Sequence, residues 1–265
     1  MPGIITLTTD FGTRDGYVGA MKGAILSVNP HATVVDISHD IAPQDVVEAA
    51  WVLASAYRFF PPETVHVVVV DPGVGSDRLA VAARAGGWHF VGPDNGVLTW
   101  ATVSAGETRA VELRERRWFR PELSATFHGR DVFGPVAAHL AAGVPLDAFG
   151  PGREALTPLP LPSPTVQTDV AIGEVIHVDR FGNLITNITQ AVFTEWARGD
   201  VTIAVGDDAR VGLGRTYADV APGEALALFG STGHLEIAVR DGDAAGRFGV
   251  GRGSAVVVRN ARDGM

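Results

Sequence analysis

The 265-residue sequence contains no cysteine, which removes disulfides, thiolate metal ligands and thiol nucleophiles together. Lysine occurs once, as Lys22, so lysine-dependent chemistry has a single candidate. Long apolar runs are also missing: none approaches the about 20 residues that span a bilayer. Met1-Pro2-Gly3-Ile4-Ile5 passes directly into a strand-like stretch with no basic segment or leader-like core, and the expectation is a cytoplasmic protein. Positive charge is in deficit. With 21 basic against 30 acidic side chains the formal charge is −9, the wrong sign for a nucleic-acid backbone but compatible with a cationic small molecule. What remains, 46% hydrophobic and 19% charged residues, is the composition of a compact globular chain. The length suffices for one large domain or two smaller ones.

Apolar strands alternate with helical patterns through the first half. Ile4–Thr8 reads as a strand ending in Thr9-Asp10-Phe11-Gly12, Tyr17–Leu26 has helical spacing, and Thr33–Ile37 is a second strand. Asp45–Phe59 reads as an amphipathic helix opened by Pro43-Gln44-Asp45 and closed by Pro61-Pro62. Val65–Val70, a β-branched run interrupted only by His66, suits a strand covered on both faces. Shorter strands are expected at Leu79–Ala83 and His89–Val91, and an Ala-rich helix at Asp131–Ala142. This alternation predicts an α/β domain with a helix-covered mixed or parallel sheet over residues 1–157. Prolines at alternate positions then make 158–168 a stiff, extended linker. Short strands at Glu174–Val178, Val201–Val205, Ala225–Phe229, Leu235–Val239 and Ala255–Arg259, separated by Gly-rich turns, predict a smaller all-β, barrel-like domain over 169–265.

Sites in open α/β sheets gather beyond the carboxyl ends of strands, where Asp10 and Asp71 fall. Asp71-Pro72-Gly73-Val74-Gly75-Ser76-Asp77-Arg78 has glycines that let backbone approach a ligand, but no Lys-Ser/Thr follows for a phosphate loop. A tight connection with Asp71 bonded to its own loop fits the same residues. In Ser124–Asp131, His128 precedes the Ala-rich helix as a titratable group, with Asp131 placed to cap it. Local pairing of Arg130 with Asp131, and His128 packed on Phe127, is the plainer alternative. Asp10-Phe11-Gly12 lacks every other kinase element; a carboxylate at a strand end can instead grip a ribose diol. Asp10, His31, Asp36, His39 and Asp40 lie near one another without metal-site spacing, so loop solvation is expected of them. Farther on, Asn183 offers the donor and acceptor that an adenine edge requires, and Phe181 could lie against a base. A turn at Arg180–Asn183 with Phe181 in the core fits equally well. Gly230-Ser231-Thr232-Gly233 is a turn whose hydroxyls and amides can hold a carboxylate.

Taken in order, Thr8-Thr9-Asp10-Phe11-Gly12, Val69-Val70-Asp71-Pro72-Gly73-Val74-Gly75, Gly92-Pro93-Asp94-Asn95-Gly96, Thr126-Phe127-His128-Gly129-Arg130-Asp131 and Asp179-Arg180-Phe181-Gly182-Asn183 span nearly the whole chain. In these stretches the chain resembles the S-adenosyl-L-methionine hydroxide adenosyltransferases, also called DUF62, which are related to the fluorinase and chlorinase enzymes. The resemblance implies an α/β domain followed by a smaller barrel-like domain. It also implies a homotrimer with the nucleoside between one subunit's first domain and its neighbour's second. The implied reaction is attack by water at C5′ of S-adenosyl-L-methionine, giving adenosine and L-methionine, with that compound as substrate and no cofactor.

Carried over by position, the water-activating Asp, Arg and His fall on Asp71, Arg78 and His128. Asp10 falls on the carboxylate binding the ribose hydroxyls, Asp179 and Ser231 on contacts to the methionine moiety, and Asn183 on an adenine contact. Phe181 and Tyr217 become aromatic neighbours of the base. Halogenating relatives put a tyrosine, a threonine and a serine where this chain has Asp71, Val74 and Gly129. A strongly hydrated halide needs donors to replace its water, which these residues do not supply, so water is the expected nucleophile. At Asp243 the family commonly has asparagine. A non-catalytic module binding S-adenosyl-L-methionine or adenosine is the alternative; a generic α/β hydrolase lacks its Gly-x-Ser-x-Gly elbow.

Overall fold

A computed structural model describes residues 3–206 and 209–260, and the chain divides at Pro160/Leu161 into two compact units. The first contains β1 (Ile4–Thr9), α1 (Tyr17–Val28), β2 (Thr33–Ser38), α2 (Val46–Ala56), β3 (Val65–Val69), β4 (Ala80–Ala85), β5 (Trp88–Pro93), α3 (Thr99–Ala105), β6 (Thr108–Glu112), α4 (Gly134–Ala141) and β7 (Gly152–Arg153). The sheet order is β2-β1-β3-β5-β4-β6-β7. The first four strands run parallel, and the β4–β5, β4–β6 and β6–β7 pairs are antiparallel, so the α/β expectation is met by a mixed sheet.

The residues explain the layering. β3 is buried along its whole length because both its faces are covered. Ile5, Leu7, Val65, Val67 and Val69 meet Met21 and Ile25 of α1 and Val136 and Leu140 of α4. Val68 and Val70 meet Ala49 and Leu53 of α2 and Ala101 of α3 on the other side. Asp45 caps α2 by accepting from Glu48 N at 2.9 Å, and the helix ends in a 3₁₀ turn, Tyr57–Phe59, ahead of Pro61-Pro62. Parallel register aligns Thr9 of β1 with Val69 of β3, so Asp10 and Asp71 leave the sheet at the same edge.

The second unit contains β8 (Thr165–Val166), β9 (Val170–Val178), β10 (Leu184–Thr189), α5 (Gln190–Trp196), β11 (Val201–Val205), β12 (Ala209–Leu213), β13 (Ala225–Phe229), β14 (His234–Val239), α6 (Ala244–Phe248) and β15 (Ala255–Asn260). Seven strands close as β10-β14-β13-β12-β11-β15-β9, with β9 returning to β10. β8 lies beside β9 on the same edge as β10. Only the β12–β13 pair is parallel among the barrel's pairings. Closure removes free edges, and the interior is apolar, built from Val175, Leu184, Ile203, Leu235 and Val256 among others.

The proline-rich strip is not a free spacer along its whole length. Thr157 N donates to Asp94 Oδ1 (2.7 Å) and Trp100 Nε1 to Leu159 O (2.9 Å), fastening its first half within the first unit. Asn187 Nδ2 donates to Pro162 O (3.0 Å) within the second. No helix among the described residues is long and apolar enough to cross a membrane.

Candidate active site

A cavity of about 230 Å³ opens at the sheet edge of the first unit, lined by Asp10, Phe11, Gln44, Asp71, Val74 and His128, among others. Two loops supply its polar end. The β3–β4 loop carries Asp71 and Arg78 seven positions apart, close enough for Arg78 to fold back on the carboxylate. Nε lies 2.9 and 3.0 Å from the two oxygens and Nη2 lies 2.5 Å from Oδ2. The pair is only 5% and 11% exposed. Gly75, at φ +79°, lets this loop pass against the other: a β-carbon there would stand 2.8 Å from Ala125 O.

The second loop brings His128, whose Nδ1 lies 2.7 Å from Arg78 Nη2. Guanidinium can only donate, so Nδ1 accepts and the neutral ring carries its proton on Nε2. Burial, followed by the Arg78 charge, holds the His128 pKa below the usual imidazole range, against an upward pull from Asp71 and Asp131. The Arg78 guanidinium also lies over the Phe133 ring at 5.3 Å.

The His128 loop is held from within by Asp131, which is fully buried. Asp131 does not cap a helix. It accepts from Ser124 N (2.8 Å) and from Arg130 Nε (2.7 Å), with Arg120 Nε 3.4 Å away. The local Arg130–Asp131 pair therefore forms, while His128 turns to Arg78. The chain enters α4 through a π-helical turn, Gly129–Phe133. At the other wall, Asp10 Oδ2 accepts from Gln44 N at 2.8 Å. Phe11, Tyr17 and Phe127 meet edge to face or tilted, with centroids 5.4–6.0 Å apart. Of the residues tested for metal spacing, Asp36 and His39 approach to 3.0 Å. Among the described residues no group of three His, Cys, Asp or Glu is arranged to hold an ion.

The remaining candidates lie on the second unit. Asp179 Oδ1 accepts from Phe181 N and Asn183 N (both 2.9 Å), and Oδ2 from Asn183 Nδ2 (3.0 Å). Gly182 N closes the turn on Asp179 O at 3.0 Å. Phe181 is 75% exposed rather than in the core. Ser231 sits in the turn closed by Gly233 N to Gly230 O at 2.9 Å. Asp243 caps α6, accepting from Gly246 N at 2.9 Å.

Tyr217 leads to a residue the sequence did not single out. Its hydroxyl donates to Glu236 Oε1 at 2.6 Å, and burial together with that bond pushes the phenol pKa upward. Glu236 is buried on β14; burial raises its carboxyl pKa and the charge of Asp179 adds to this, against the Tyr217 hydrogen bond. A β-carbon at Gly230 would overlap its Oε2. Glu236 thus stands among Asp179, Tyr217 and the Gly230–Gly233 turn. Its sequence signal was one carboxylate inside an apolar strand, Leu235-Glu236-Ile237.

Two family models match the chain: SAM hydroxide adenosyltransferase N-terminal domain over residues 5–150 and SAM hydroxide adenosyltransferase C-terminal domain over residues 173–257. The chain is 43% identical over 257 residues to a protein of Salinispora tropica named (R)-S-adenosyl-L-methionine hydrolase, covering 96% of this chain and 97% of that one. It is 32% identical over 212 residues to a fluorinase of Actinoplanes sp., covering 70% and 71%. Among solved structures, a conserved protein of Thermotoga maritima superposes with a TM-score of 0.91 at 39% identity, covering 97% of this chain and all of the other.

Proposed function

The chain belongs to the SAM hydroxide adenosyltransferase family, and from that premise we propose that it hydrolyses S-adenosyl-L-methionine to adenosine and L-methionine. The observation that carries the mechanism is the hydrogen-bonded set Asp71–Arg78–His128 on the wall of the cavity. The leaving group is a neutral thioether departing from a sulfonium, so leaving-group acid catalysis is not needed and the demand falls on positioning the nucleophile.

Hydrogen-bond directions divide the work. His128 Nδ1 is engaged by Arg78, which leaves an Nε2–H that donates to a water oxygen and orients it. Each carboxylate oxygen has two lone-pair directions, so Asp71 retains acceptor capacity beyond its bonds to Arg78. As the water oxygen bonds to C5′, the C5′–S bond breaks with its electron pair moving to sulfur, and the surplus water proton passes to Asp71. Arg78 locks both partners and offers positive charge to the forming hydroxide. Asp10 accepts from the ribose diol. In the barrel, Asp179 and Ser231 serve the methionine moiety, and Asn183, Phe181 and Tyr217 serve the adenine. The proposal extends to a homotrimer, tested by mass measurement in solution.

Incubation in oxygen-18 water followed by mass analysis of the adenosine tests the reaction. Label at the 5′ oxygen is the expected result. Adenosine without label, or intact sulfonium after prolonged incubation, would overturn it.

A further inference from the structure

The loop that presents Asp10 is held by one buried residue from the next strand end. Asp36 of β2 takes Lys22 Nζ at 2.6 Å and lies 3.0 Å from His39 Nε2. Burial opposes its ionisation, but the bonds from Lys22 and His39 outweigh this and keep its carboxyl below the usual range. An ionised carboxylate only accepts, so its 3.0 Å approach favours a proton on the Nε2 side, and in the neutral ring with that proton Nδ1 is bare. Nδ1 lies 2.8 Å from Thr9 Oγ1 and accepts the hydroxyl proton. The hydroxyl, its own proton committed, accepts from Phe11 N at 3.2 Å. The His39 carbonyl takes Gly12 N at 2.8 Å, where φ of +65° suits glycine. His39 and Thr9 are buried, so water does not compete for these bonds.

We infer that His39 is a positioning residue whose Nδ1 edge, acting through Thr9, fixes the backbone on both sides of Asp10 and so aims that carboxylate at a vicinal diol. The inference rests on the reading of Asp10 as the ribose-binding group. His39 is buried and is not among the residues that line the cavity. Its ring and carbonyl constrain Thr9, Phe11 and Gly12, the residues flanking Asp10, while the Asp10 carboxylate itself takes Gln44 N.

The test compares adenosine with 2′-deoxyadenosine by calorimetry on the full-length chain. A hydrogen bond to a charged group corresponds to roughly ten-fold or more in affinity, so the wild type should prefer adenosine by about that factor and Asp10→Ala should abolish the preference. His39→Gln keeps an N–H toward Asp36 but no acceptor at the Nδ1 position, and should also lose the preference. His39→Asn places an amide oxygen near the Nδ1 position and should retain it. Thr9→Val, nearly isosteric, should match His39→Gln even if either histidine variant folds poorly. Loss of the preference in Asp10→Ala with full retention in His39→Gln and Thr9→Val would overturn the inference alone. Retention in Asp10→Ala would overturn the ribose reading beneath it. Equal loss in His39→Asn and His39→Gln would overturn the assignment to Nδ1.

Discussion

Acidification should weaken the first domain through a side chain outside the cavity. His66 lies on β3, the strand that leads to Asp71, and is fully buried, with Nδ1 2.7 Å from Thr6 Oγ1 and its ring stacked on Phe90 at 5.4 Å. Burial lowers its pKa from 6.5 to about 3. Between those values the unfolded chain binds the extra proton and the native chain does not, so stability rises with pH across the window and is lost as pH falls. At about 1.4 kcal/mol per pH unit, acidification from pH 6.5 to about 5 costs roughly 2 kcal/mol through His66 alone. His66→Asn keeps a hydrogen-bonding atom near the Nδ1 position and removes the titration. The variant should be less stable at neutral pH, having lost the ring, but its stability should fall less steeply with acid. Urea unfolding at several pH values, followed by tryptophan fluorescence, reads this directly, since Trp51, Trp88, Trp100 and Trp118 all lie in the first domain. Parallel stability curves for the two proteins would refute the reasoning.

Turnover offers three further checks. Asp71→Asn should lower kcat by about 10²–10⁴, the range of a lost general base, with KM for S-adenosyl-L-methionine little changed; a loss confined to KM would assign Asp71 to binding instead. Because His128 must be neutral to leave Nδ1 free for Arg78, its lowered pKa should carry activity below the ordinary imidazole range. The acid limb of the kcat profile should move up in Arg78→Gln, where a charge that depresses it is gone. Gly129→Ser should fold, since a β-carbon there meets Phe11, Val69 and Met21 at 3.4–3.5 Å. Formation of 5′-halogenated adenosine by this variant, read by mass spectrometry with fluoride or chloride, should stay absent while the Asp71 carboxylate remains to repel the anion.

β1 to β5 of the α/β half were legible as apolar runs with strong punctuation, and Val65–Val69 could hardly be anything but a covered strand, whereas β6, Thr-Arg-Ala-Val-Glu, and the two-residue β7 carry no such pattern. The short α3, Thr-Trp-Ala-Thr-Val-Ser-Ala, escaped notice because β-branched residues weaken a helical pattern and its burial comes from tertiary packing. β12 and α5 are not legible because both are short, five and seven residues, and α5 buries no residue that would stamp a helical period on it. The meeting of Asp71 with Arg78 follows from a short loop, whereas the approach of His128 depends on a contact across 50 residues that no spacing rule encodes. Glu236 stayed hidden because its significance comes from neighbours on three other segments. The sequence carried the residue types; the tautomers of His128 and His39 required distances.

The π-helical turn at Gly129–Phe133 has a consequence for how the His128 geometry is stored. A wide turn of this kind accommodates one residue more than a regular coil. Removing one of its five positions returns that turn to the regular coil and leaves the segments on either side near their present places, whereas removing one residue from the regular coil of α4 turns everything ahead of it by about 100°, the angular step of one α-helical residue. A deletion in α4 would therefore swing the imidazole away from the guanidinium although no side chain of the trio had been altered. The spare residue makes a single-codon deletion in the wide turn less damaging to the aim of His128 than one in the helix it feeds.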